Sequence, residues 1–100
     1  MKRIYKYPLK IEDSQIIELC GTPLSVEVQL KDVVNMFTPM PENIVLYAII
    51  DDNHLSAKYE IRIHGTGHDL PDDINDYTFL STVRLRNGSL MFHVFYKWVV

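Results

Sequence analysis

The chain carries one cysteine, Cys20. No disulfide can close within it, so a disulfide-stapled secreted scaffold is excluded. Long hydrophobic runs are missing too: the longest, residues 44–50, has seven residues, against the roughly 20 that a membrane-spanning helix needs. Lys2 and Arg3 are followed by neither an apolar stretch nor a small-residue cleavage pattern, so no secretory signal is expected. These shortages point to a soluble domain in a reducing, cytoplasmic compartment with no membrane contact. Charge of one sign is also scarce, and a net charge of −3 is too mild for a nucleic-acid binder or an acidic DNA mimic. Nucleotide motifs are absent. There is no P-loop, and Gly65 and Gly67 lack the third glycine and the strand-to-helix setting of a dinucleotide fingerprint. No cofactor is therefore expected. Repeats and low-complexity stretches are absent as well.

What is present is an ordinary globular balance, 47% apolar and 23% charged over 100 residues, which suits a single domain spanning 1–100. Alternation of period two dominates. Leu24, Val26, Val28 and Leu30 stand against Ser25, Glu27, Gln29 and Lys31, and Ala57, Tyr59, Ile61 and Ile63 against Lys58, Glu60, Arg62 and His64. Each pattern describes a strand with one face on the core and one in water. Residues 44–50 are short, β-branched and apolar on both faces, which suits a central strand. Residues 77–86 and 90–96 flank Asn87 and Gly88, a pair that tolerates the positive φ of a two-residue type I′ turn, so a hairpin is expected. Residues 2–8 carry lysines and Pro8, features of a protected sheet edge. A shorter strand is expected at 15–19, cut off by Gly21 and Pro23. Asp32 before Val33, Met36 and Phe37, and Pro71 before Asp72 and Asp73, suit helices of one or two turns. The expected fold is mainly β: a small antiparallel β-sandwich or partly open barrel.

The stretch His64, Gly65, Thr66, Gly67, His68 ends a strand and is the candidate ligand site. Its glycines permit positive φ and leave amides to converge as an anion-binding nest, although a tight turn that merely redirects the chain explains the same residues. Zinc is not expected between His64 and His68, because the glycines deny them a common helical face. The carboxylates at 69, 72, 73 and 76 lack the pattern of a calcium loop. Thr66 with His68, or Cys20 with His93, makes a formal nucleophile and base pair, but no elbow motif supports either, and no catalytic residue is assigned. Arg3, Tyr5, Lys6 and Tyr7 interleave cations and aromatics as single-strand binders do, yet four cations on an acidic body make nucleic acid an unexpected partner. Val33, Met36, Phe37 and Met40, between Asp32 and Pro41, are the candidate contact surface for a host or phage protein or a second copy of the chain. A lid over the protein's own core is the alternative.

Three stretches carry a resemblance: Ile4, Tyr5, Lys6, Tyr7, Pro8, Leu9 at the start, Gly65, Thr66, Gly67, His68 in the middle, and Gly88, Leu90, Phe92, His93, Val94, Phe95 near the end. Together they resemble a family of small uncharacterised bacteriophage and prophage proteins. The resemblance implies a phage or prophage origin and action in the bacterial cytoplasm, where such accessory proteins bind and block a host enzyme or defence complex. The expected function is thus a non-catalytic phage-type accessory protein working by protein contact. The alternatives are a small-ligand or enzymatic site at the glycine turn and a nucleic-acid binder at the N-terminal strand.

Overall fold

Alternating side chains build seven strands in the computed structural model, which describes residues 1–30, 42–85 and 88–99. They are β1 (Lys2–Leu9), β2 (Ser14–Leu19), β3 (Gly21–Leu30), β4 (Glu42–Asp51), β5 (Ala57–Gly65), β6 (Thr78–Leu85) and β7 (Leu90–Val99). A three-stranded sheet has the order β1-β4-β3 and a four-stranded sheet the order β2-β5-β7-β6, every neighbouring pair antiparallel. Both sheets feed one core, with Leu9, Leu19, Val26, Ile44, Leu46 and Ala48 packed with Ile61, Ile63, Val83, Leu85 and Val94. Among the described residues the protein is mainly β, with two antiparallel sheets, no closed barrel and little helix. No helix among the described residues is long and apolar enough to cross a membrane.

The expected central strand is central: β4 lies between β1 and β3, and its residues 44–46 are buried on both faces. The expected edge strand, β1, is an edge. There Pro8 removes no ladder bond that an inner strand would need. β6 and β7 form the expected hairpin, with Leu85 opposite Leu90. Asn87, on which the two-residue turn depends, lies outside the described residues, as do Val33, Met36, Phe37 and Met40 and the helix expected after Asp32. The helix expected at Pro71 starts later, as a single 3-10 turn over Ile74–Asp76 with Asp73 at its N-cap.

The start of β3 departs from expectation. Gly21 and Pro23, read as breakers, are strand residues, because the chain passes from one sheet to the other across Cys20 alone. Asp51 donates its N–H to the Cys20 carbonyl at 2.8 Å, which binds this crossing to the end of β4. Two strands meet so closely here that a Cβ on Gly21 would lie 1.8 Å from the Ile49 carbonyl oxygen. The register then slips between Pro23 and Ser25. This bulge turns Leu24 outward to 47% exposure, while Pro23 is buried in its place. A matching slip lies between Phe79 and Ser81 in β6. The two bulged strands run beside each other, joined where the Val26 N–H donates to Ser81 Oγ at 2.9 Å. Bulges at sheet edges bend strands and stop the ladder from continuing, which is why the seam between β3 and β6 stays open.

Candidate functional site

The glycine turn follows β5 and leads into a loop that crosses the outer face of the four-stranded sheet. Two clusters pin that loop. At its start Thr66 Oγ1 lies 2.7 Å from His93 Nε2, while Thr82 Oγ1 lies 2.9 Å from His93 Nδ1. His93 pairs with Thr82 and His64 across β7, so its imidazole bridges a loop hydroxyl and a strand hydroxyl. In the neutral ring one threonine donates and the other accepts. At the loop's end the Tyr77 hydroxyl donates to Glu60 Oε2, which also accepts from Arg62 Nε at 2.6 Å. Arg62 Cζ and Lys97 Nζ sit over the Tyr77 ring, 5.7 and 5.4 Å from its centroid. The Tyr77 hydrogen bond, then that from Arg62, holds the Glu60 carboxyl below its ordinary value.

Between these pins, Asp13, Arg62, Ile63, His64, His68, Asp69, Leu70 and Pro71 line an open cleft of about 490 Å³. That volume lies within the range of small-molecule sites. Gly67 has φ 85°, a left-handed conformation that glycine adopts without strain. The bare Cα of Gly65 admits the His68 ring, whose Cε1 and Nδ1 would be 3.1 Å from any Cβ there. Burial, then the Arg62 charge, lowers the pKa of His64. Its ring meets Phe95 edge-on at 6.1 Å, and its Nε2 is buried with no partner among the described residues.

Of the candidate ligand residues, His64 and His68 therefore share one cleft, while the Thr66 hydroxyl is held by His93 instead of His68. Two of the amides that an anion nest would need are already bonded: Thr66 donates its N–H to the Met91 carbonyl of β7 at 3.4 Å and His68 to the Gly65 carbonyl at 3.2 Å. Cys20 packs against the core, whereas His93 sits on the outer face, so these two are not brought together. The threonine behind His93 carries no charge to stabilise an imidazolium, and the Thr66, His93, Thr82 chain reads as a structural clamp. No group of three or more metal-ligating side chains is placed to hold an ion among the described residues. The cations and aromatics of β1 are divided, with Arg3, Tyr5 and Tyr7 on the core-side face beside Ile50, Ala48 and Leu46, and Lys6 on the other beside Tyr47. Arg3 is further engaged by the Tyr5 hydroxyl at 3.1 Å and by Asp52 at 3.7 Å.

Residues 1–99 match the family described as a domain of unknown function, DUF7352. The chain belongs to that family. No curated protein and no solved structure matches it. The family match takes in all seven strands, so the cleft, the clamp and the free sheet edges are parts of the DUF7352 domain. Nothing local in the sequence marks Asp13 or Arg62 as site residues. They reach the cleft only because β2 pairs with β5, placing Ser14 opposite Arg62, and because the Ile63 N–H donates to the Asp13 carbonyl at 3.2 Å.

Proposed function

We propose that this DUF7352 protein is a non-catalytic binding module, a phage-type accessory protein that acts in the bacterial cytoplasm by contact with a host or phage protein. The observation that carries the reading is Trp98, 61% exposed near the end of β7. β6 reaches only as far as Tyr96 along that strand, so the Trp98 side chain has no β6 neighbour to cover it. Leu55, 91% exposed, lies in the β4–β5 connection at the same end, where Lys58 pairs with Val99. Uncovered tryptophan is expensive to leave in water and is the residue type most enriched at energetic centres of protein interfaces. The phage-type role draws on the motif resemblance given above. Tagged protein should capture a stoichiometric partner from the bacterial host, and Trp98→Ala should lose that partner while its melting temperature stays within a few degrees. Equal capture by both forms, or none by either, overturns the reading.

A second reading, a small-ligand site, draws on the cleft that gathers Arg62, His64, His68, Asp13 and Asp69. A fragment screen followed by amide NMR should produce saturable shifts confined to residues 13, 62–64 and 68–71. Shifts scattered over the molecule would dismiss it.

A further inference from the structure

The two sheets leave two edges whose backbone groups can be assigned. Asp51 directs its N–H toward Cys20 on the β3 side, and alternation along β4 then turns Ile50, Ala48, Leu46 and Ile44 toward β1. Their partners are Arg3, Tyr5, Tyr7 and Leu9, so the outward N–H and C=O groups of β1 belong to Lys2, Ile4 and Lys6. Pro8 agrees, since it falls in this outward set and has no N–H to leave unpaired. On β2, the Ile63 N–H bond to the Asp13 carbonyl makes Asp13, Gln15, Ile17 and Leu19 the residues bonded toward β5. Ser14, Ile16 and Glu18 therefore face outward. Within one chain these edges belong to different sheets and do not pair with each other.

We propose that β1 of one copy pairs antiparallel with β2 of a second copy, in the register Lys2 with Glu18, Ile4 with Ile16 and Lys6 with Ser14. In this register the outward backbone groups of Lys2, Ile4 and Lys6 meet those of Glu18, Ile16 and Ser14. The core-facing sides of the two sheets also fall on the same side. The side chains agree independently. Lys2 faces Glu18, both exposed, and Ile4 at 62% exposure faces Ile16 at 54%, so two isoleucines that each monomer leaves in water cover one another. Opposite charges and apolar residues placed directly across strands are the stabilising cross-strand pairs. Pairing β1 with β1 is disfavoured: centred on Ile4 it sets Lys2 against Lys6 of the other copy, and like charges directly opposite repel. The second copy thus explains why the lysines of β1 are accompanied by an exposed isoleucine, which edge protection alone does not require. Because each chain offers both edges, the contact either closes as a two-fold pair or propagates.

Sedimentation velocity of the full chain, from micromolar to millimolar concentration at low salt, tests the pairing. Wild type should self-associate with concentration, and Lys2→Glu should weaken this about tenfold, with recovery on adding Glu18→Lys in the same chain. Ile4→Lys and Ile16→Lys should each reduce association without lowering the melting temperature, since both positions are exposed. An equimolar mixture of these two variants should form a one-to-one complex, because each supplies the edge the other lacks. A wild type that stays monomeric throughout, association untouched by both isoleucine variants, or a mixture that forms no complex would each overturn the proposal. The Trp98→Ala variant should self-associate as wild type does, so failure here and failure of partner capture are read separately.

Discussion

Gly21 shows how much one missing methyl group can matter. Its backbone is in an extended strand, but a Cβ would sit 1.8 Å from the Ile49 carbonyl oxygen, inside any tolerable contact and against backbone that cannot rotate away. Gly21→Ala must force β3 away from β4 at the point where the chain changes sheets. Overpacking of a rigid site costs about 1–3 kcal/mol or more, and urea denaturation should show a loss of at least that size. Glu60 supplies a second test at this scale. Its folded pKa is depressed by the Tyr77 hydroxyl and then by Arg62, so its contribution is complete above the unfolded value, about 4.5, and is lost as pH falls from there through the folded value. In Tyr77→Phe the largest cause of the depression is gone. The melting temperature of that variant should fall less steeply with acidification through this window than wild type, and an unchanged slope would deny Tyr77 its role.

At the scale of elements, the seam between β3 and β6 is held differently from the strand pairs within each sheet. All ladder pairs exchange backbone bonds, whereas here the Val26 N–H depends on the Ser81 hydroxyl. Ser81→Ala removes the acceptor and leaves a part-buried donor behind, which costs about 1–3 kcal/mol when the donor finds no substitute. Amide exchange at Val26 should accelerate in this variant while exchange in β5 and β7 stays slow. If Val26 exchange does not change, the seam is held by side-chain packing alone. Both strands at the seam are bulged, and the bulges have the same consequence on each: a residue is displaced from the alternation, as with Leu24, and the edge ceases to be a straight template for pairing. β1 and β2 have no register shift, which leaves them as the regular edges.

The whole molecule is thin. It measures 46 × 36 × 15 Å with a radius of gyration of 14.8 Å, above the ~13 Å of a compact chain of this length. A flat two-sheet body buries a small core, and Leu46, fully buried at the centre of β4, touches that core from the middle strand. Leu→Ala changes at such positions cost about 2–5 kcal/mol, a large part of the roughly 5–15 kcal/mol that holds a domain together. Leu46→Ala should therefore lower the melting temperature by about 10 °C or more, followed by near-ultraviolet circular dichroism, while the exposed Leu24→Ala shifts it by only a few degrees. Flatness also raises the ratio of surface to core, and Ile4, Ile16, Leu55 and Trp98 find no cover among the described residues.

Strand identity was legible from the residues alone. Alternation in Ala57, Tyr59, Ile61 and Ile63, the unbroken apolar run of β4, and the lysines and proline of β1 are local signals, and a period of two maps directly onto the two faces of a strand. The same locality made Gly21 and Pro23 look like an interruption, since close approach of another strand leaves no mark on the residue that permits it. Leu24 followed the alternation in sequence and left it in space, because a bulge is set by the partner strand. Thr66, His93 and Thr82, and Asp13, Arg62 and His68, are brought together by register between strands distant in the chain. Register also decided which backbone groups of β1 and β2 face outward, and with it the match of Lys2 to Glu18 and Ile4 to Ile16. The sequence by itself determined where the strands run and, away from the bulges and the sheet crossing at Cys20, which of their faces are apolar. Tertiary structure decided which edges stay free and what they present, because an edge exists only once every other strand has found its neighbours.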